Sequence, residues 1–289
     1  MRVSSVRVGD LDPRGRTGRA ANTAARQASE HALAWVRRLV VIGIVFIVLA
    51  AGFIALYFSS LFGITQVNVT GVSHLTASEV SELAAVPTGS TLLRVDASGI
   101  ASRLQTNPWV KSAAVNRLFP ETLELAVEER SIAAVVSTTS LDVQETENWA
   151  IADDGMWLMK IPDQDSAEAS QISQQVYIDA GQVLHITDVP YGVAPQEGAY
   201  CTDDCVLNAL NIVSGLTTEL ADEITTVSAT DTANTVLTLE NGVQIAFGTA
   251  EDVREKERVV LELMAQHPDS ISYINVRVVD RPTYRAIPS

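Results

Sequence analysis

Cysteine and histidine are scarce in this sequence, with two and four residues among 289. His31, His74, His185 and His267 show no H-E-x-x-H or H-x-H spacing. Cys201 and Cys205 would need two further ligands to hold zinc, so no metal site is expected. S-x-x-K and G-x-S-x-G are absent, which removes the usual nucleophile signatures of acyl transfer. Gly89-Ser90-Thr91 lacks the preceding glycines and the lysine of a phosphate loop. Asp153-Asp154 stands before Gly155 and reads as a polar turn rather than a catalytic carboxylate pair. No catalytic residue, cofactor or small-molecule substrate is therefore expected. With 16 glycines, 10 prolines and 6% aromatics, the chain is neither collagen-like nor broadly disordered. It has no internal repeat and no heptad array.

Long apolar runs are absent but for one. Leu39–Phe62 is 24 residues without a charge. At about 1.5 Å per residue it spans roughly 36 Å, enough to cross a hydrocarbon core of about 30 Å with some tilt. It is about twice as long as the apolar part of a signal peptide, 38 residues precede it, and no A-x-A site follows, so an uncleaved anchor is expected. Charge is uneven on its two sides. Residues 1–38 hold eight arginines and three acids, net +5, and residues 63–289 hold 12 basic and 32 acidic residues, net −20. Arginines flanking a span stay in the cytoplasm, so residues 1–38 are expected inside and 63–289 outside. So acidic an exterior excludes nucleic-acid binding by phosphate neutralisation. The 1–38 tail has no apolar period and reads as disordered. Its arginines serve either topology alone or contact with anionic membrane lipid or a cytoplasmic partner.

From Ile64 the periods become regular. Val67 and Val69 alternate with polar neighbours in a strand that Gly71 ends. Thr76 and Glu79 form a capping box for a helix with Val80, Leu83 and Ala84 on one stripe. Leu92–Val95 reads as a short extended piece, and Asp96 as the N-cap of a second helix that Asn107-Pro108 stops. Strands follow from Trp109 to Arg117 and over 122–128, joined at Phe119-Pro120. This β-α-α-β-β order buries two helices on one face of a three-stranded sheet. The remainder, 131–285, is richer in strand. Trp149–Ile151 and Met156–Met159 flank the Asp153-Asp154-Gly155 turn, and Val176–Ile178 reads as a strand. Cys205–Ser214 reads as a helix. Asn241-Gly242 marks a hairpin between Val236–Leu239 and Val243–Phe247. A helix is expected from Thr249 to His267, with Asp252 and Lys256 on its wet face, then a last strand over Ile271–Val279.

The stretches ITQVNVTGVSHLTASEV, NPWVKSAAVNRLFPETLELAVEER, TLENGVQIAFG and ISYINVRVVDRPTYR resemble the FtsQ/DivIB family of bacterial cell-division proteins. The resemblance runs from the span to the end, and Trp109–Arg130 carries its most specific part. It implies an α+β fold with a transmembrane helix (39–62), a POTRA domain (63–130), a mixed β-rich domain with flanking helices (131–285) and a short tail (286–289). It also implies a single-pass protein of the plasma membrane at the division septum. Such a protein would be a non-enzymatic scaffold of the divisome, linking early and late division proteins and binding FtsB- and FtsL-type partners outside the cytoplasm.

In the family, partners dock on the terminal edge of the β domain, here Arg277, Val278, Val279, Asp280, Arg281, Pro282, Thr283 and Tyr284 by position. An edge strand can accept a partner strand, and Arg277, Arg281 and Arg285 favour an acidic one. By spacing alone the same charges only block aggregation. Cys201 and Cys205, four apart and outside the cytoplasm, are expected to form a structural disulfide, with two free thiols as the alternative. Two other functions remain in view. A membrane-anchored extracytoplasmic assembly chaperone with a POTRA unit would need further POTRA copies and a membrane barrel. A cell-wall enzyme would need a pocket of convergent polar groups.

Overall fold

The computed structural model describes residues 17–139, 145–268 and 270–287, in two compact units, Met1–Phe62 and Gly63–Ser289. The first unit is one helix, α1 (Thr17–Phe58). Its Trp35–Phe58 part is long and apolar enough to cross a membrane. Two expectations are corrected here. The tail expected to be disordered is helical from Thr17, because its alanine-rich sequence has high intrinsic helix propensity without needing an apolar period. The tail's first 16 residues lie outside the described ones. The helix also stops at Phe58 rather than running to Phe62, where Ser59 turns its hydroxyl back to the Leu56 carbonyl at 2.9 Å.

The second unit opens with β1 (Gln66–Thr70), α2 (Ala77–Ala84), α3 (Ala97–Leu104), β2 (Val110–Leu118) and β3 (Thr122–Glu129). Their sheet has the order β1-β3-β2, with β1 parallel and β2 antiparallel to β3. The Thr76–Glu79 capping box is formed, and Asp96 caps α3 through the Gly99 N–H. Val80, Ala84, Ile100 and Leu104 are buried with Leu123 and Leu125, so each helix puts its apolar stripe on the sheet. Gly71 has φ +82°, and a side chain there would collide with the Val127 carbonyl, so glycine is required. Leu92–Val95 is a tight turn rather than an extended piece: the Arg94 and Val95 N–H groups both reach the Thr91 carbonyl, at 3.0 and 2.9 Å. The turn lets both Leu92 and Val95 point into the core, which a strand's alternation would allow less well.

A nine-stranded mixed sheet follows. Its elements are β4 (Ile132–Thr139), β5 (Thr146–Ala152), β6 (Trp157–Ile161), α4 (Gln174–Ala180), β7 (Leu184–Thr187), α5 (Asp204–Gly215), α6 (Thr218–Ala221), β8 (Ile224–Ser228), β9 (Val236–Leu239), β10 (Gln244–Ala246), α7 (Val253–Gln266), β11 (Ile271–Asn275) and β12 (Thr283–Ala286). The spatial order is β12-β11-β10-β9-β8-β7-β4-β5-β6. β4 is apolar at consecutive positions because both its faces are covered. Ala134 and Val136 join the core under α5 and α7, and Val135 joins Val176 and Ala180 of α4 on the opposite face.

That burial also explains a misread element. Val176–Ile178 is part of helix α4, whose buried Val176 and Ala180 stand four apart while Ile178 is exposed. The Asn241-Gly242 hairpin forms as expected, with Gly242 at φ +83° and its N–H on the Leu239 carbonyl at 2.9 Å.

Three further differences concern the end of the chain. Helix α7 starts at Val253, not Thr249, because Asp252 adopts a left-handed conformation. Lys256, expected on the wet face, is buried: its ammonium donates to the Thr249 carbonyl at 2.7 Å and lies 5.2 Å from the Phe247 ring centroid. The expected strand 271–279 is shorter, β11 ending at Asn275, and a separate strand β12 follows after the loop 276–282. Asn275 ends β11 by accepting the Arg277 N–H on its side-chain oxygen at 3.1 Å, an Asx-type turn that competes with the ladder.

Candidate functional site

β12 is the outermost strand, antiparallel to β11 with Tyr284 opposite Ile274 and Arg285 opposite Tyr273. Just beyond it, the Ile287 N–H donates inward to the Ser270 carbonyl at 2.7 Å. Strand alternation therefore turns the N–H and C=O groups of Tyr284 and Ala286 away from β11. All four β12 residues are exposed. Pro282, which has no N–H to give, stands directly before the strand.

Two ring contacts hold β12 from opposite faces. Tyr284 packs on His267 at the end of α7, with centroids 4.7 Å apart and planes inclined 32°. The Arg285 guanidinium lies 5.4 Å from the Tyr273 ring centroid, an exposed cation–π contact worth about 0.5–1 kcal/mol. Ser272 adds a hydroxyl bond to the Arg285 carbonyl at 3.2 Å.

The structure divides the expected docking residues. Thr283 and Tyr284 lie on β12; Arg277, Val278, Val279, Asp280, Arg281 and Pro282 form the loop that leads into it. That loop is tied by the Arg281 N–H on the Val278 carbonyl at 3.1 Å, which leaves Val278 exposed. The Arg277 stem runs past Gly248, where a side chain would crowd it. Arg285 and Ala286, beyond the expected set and partly in the expected tail, complete the strand. Period could not find them, since a strand exposed on both faces has no apolar alternation. Arg277, Arg281 and Arg285 are exposed, and among the described residues none pairs with a carboxylate.

A groove of about 600 Å³ opens at the Ala286 end of the sheet. Val243, Met264, Ile271 and Ile287 supply its apolar lining, and Glu223 and Glu240 its acidic groups. The groove and the arginine loop thus carry opposite charge.

The cysteines are elsewhere. Cys201 is buried, Cys205 lies in the first turn of α5, and both are free thiols in this structure, where a disulfide was expected. Asp203 caps α5 by accepting the Cys205 and Val206 N–H groups, each at 3.0 Å. Burial pushes both thiols above the ordinary value, and the Asp203 charge adds to the effect. Among the described residues, no group of three or more His, Cys, Asp and Glu side chains could hold a metal ion.

Two family models match this chain: the POTRA domain, FtsQ-type, over residues 62–130, and the cell division protein FtsQ/DivIB, C-terminal, over residues 143–280. A cell division protein FtsQ of Streptomyces collinus is 30% identical over 235 residues, covering 80% of this chain and 82% of that protein. The chain belongs to the FtsQ/DivIB family of cell division proteins. Other family members it resembles come from Corynebacterium glutamicum, 24% identical over 222 residues with 75% and 85% coverage, and from Mycobacteroides abscessus, 28% identical over 211 residues with 73% and 58% coverage. The β-α-α-β-β layer is thus a POTRA domain of FtsQ type. Strands β5 to β11 of the nine-stranded sheet lie within the matched FtsQ/DivIB C-terminal region, β4 and β12 lie just outside it, and an apolar helix precedes both domains.

Proposed function

We propose that this FtsQ/DivIB family member is a non-enzymatic, single-pass scaffold of the divisome that docks its partners by strand addition to β12. One observation carries the proposal. The outward N–H and C=O groups of Tyr284 and Ala286 stand on an exposed edge strand beside three arginines that pair with no carboxylate among the described residues. A partner strand would complete that ladder, and acidic side chains on it would meet Arg277, Arg281 and Arg285. FtsB- and FtsL-type extracytoplasmic segments are the partners in this reading. The net +5 of residues 1–38 supports a cytoplasmic N-terminus and an extracytoplasmic C-terminus. In this reading the protein works at the septum, linking early and late division proteins, while α1 anchors it in the plasma membrane.

The test is capture of co-expressed FtsB- and FtsL-type proteins by the full-length chain in detergent. Ala286→Pro removes one outward N–H and none of the β11 ladder, so the fold persists and capture falls about tenfold, the equivalent of one or two lost hydrogen bonds. Arg281→Glu lowers capture further at low salt and less at high salt. Unchanged capture by both variants would overturn strand addition at β12.

A further inference from the structure

We propose that His74 is a proton-operated latch between the POTRA sheet and the nine-stranded sheet. His74 lies between β1 and α2, with its side chain only 8% exposed. Its Nδ1 is 3.0 Å from Glu129 Oε2 at the end of β3, and its Nε2 is 2.7 Å from Asp179 Oδ2 on α4. The first contact stays within the POTRA layer; the second crosses to the other sheet's helix. The ring stacks on Trp109, with centroids 4.3 Å apart.

A neutral imidazole has one donor and one acceptor, while an ionised carboxylate only accepts. Both contacts are therefore satisfied together only by the doubly protonated ring. Loss of one proton leaves a lone pair facing a carboxylate, and one contact must open.

The surroundings decide which. Glu129 also accepts the backbone N–H groups of Ser73, His74 and Leu75, at 3.1, 2.9 and 3.0 Å, so it stays in place whatever the ring does. Asp179 has no such anchor. Among the described residues its other oxygen accepts only from Gln175, one turn earlier on the same helix, at 2.7 Å. The groups facing the ring are thus Glu129 from β3, Asp179 from α4 and the uncharged Trp109 ring from the segment before β2. Among the described residues no lysine or arginine pairs with either carboxylate. Deprotonation therefore opens the contact between the sheets.

Other ties keep the two parts from separating. Arg130 Nε lies 2.9 Å from Asp154 Oδ2, and Trp109 is buried with Ile132, Val135 and Ala150. Opening the latch permits a pivot about Arg130, where the chain passes from one sheet to the other. The latch is closed while the ring carries both protons and opens as rising pH removes one of them. It would let extracytoplasmic pH set how rigidly the POTRA domain and β12 are held together, and it stands whether or not β12 docks a partner.

The test is single-molecule energy transfer on the full-length chain in nanodiscs. Dyes are attached through non-natural residues at exposed Glu121 and Glu219, which leaves the native thiols untouched. The wild-type distance distribution should be about twice as broad at about pH 8.5 as at about pH 5.5. His74→Gln, which cannot take up the proton, should be broad at both. Asp179→Ala, a milder change at a partly exposed position, should be broad at both as well and covers the case in which His74→Gln misfolds. The same wild-type width at both pH values, or a pH response that survives in Asp179→Ala, would overturn the latch.

Discussion

Lys256 donates its ammonium proton to the Thr249 carbonyl at 2.7 Å from a side chain that is 2% exposed. Burial holds this ammonium below its ordinary value of 10.5, while Asp252 and Glu251 pull it back up. The unfolded chain therefore binds the proton more tightly, and wild-type stability gains from a pH rise in the window below 10.5. In Lys256→Met that gain is absent. Urea unfolding followed by tryptophan fluorescence should find the two proteins within about 1 kcal/mol at neutral pH. The difference should move in favour of wild type as pH rises through the window. A difference that is flat with pH would remove the buried-charge account.

Arg130 does a different job at the junction of the two sheets. Beyond Asp154, its Nη1 donates to the carbonyls of Pro108 and Val110, each at 2.9 Å. Arg130→Met leaves both carbonyls and a partly buried carboxylate without their donor, and should cost about 3 kcal/mol in the same assay. Asp154→Asn keeps both carbonyl bonds and should cost about 1 kcal/mol or less. Equal losses would show that the ion pair, not the carbonyl bonds, carries the junction.

Cys201 and Cys205 share a five-residue stretch that Asp203 bends into α5. In an oxidising compartment we expect them to pair by thiol–disulfide exchange with an oxidoreductase, a reaction their raised thiols slow because the thiolate is the attacking species. The mass of iodoacetamide-treated protein, isolated without reductant, should then show no alkyl adduct. Closing so short a loop should add about 2 kcal/mol, lost on reduction. Two adducts would mean that the thiols stay free.

Depletion of the protein in its own organism should give elongated or branched cells without septa, read by microscopy. Normal septation would count against the scaffold role and leave β12 an edge whose charges only prevent aggregation.

Much of the fold was legible because its signals are local. The Thr76–Glu79 capping box, the Asp96 cap and the Asn241-Gly242 hairpin each formed where their residues stood. The errors fell where tertiary contacts override local period. Val176 and Ala180 look equally like strand or helix until the face of β4 they cover is known. Strand β4 was not discerned, since a strand covered on both faces loses alternation; β7 and β8, four and five residues long, are too short to show a period. The family pattern puts the terminal edge strand at 277–284, whereas β12 covers Thr283–Ala286, because the loop 276–282 extends what reads as one strand.

By itself, the sequence determined the anchor, the charge asymmetry across it and the β-α-α-β-β order. Each rests on composition or on contacts within a turn or two, which neighbours in the chain specify. Only the tertiary structure decided that β12 is a separate edge strand, that Lys256 is buried and that His74 meets both Glu129 and Asp179. Those relations join residues far apart in the chain, up to 105 positions for His74 and Asp179, so no local period encodes them. They exist only once the two sheets have packed and removed water from between the side chains.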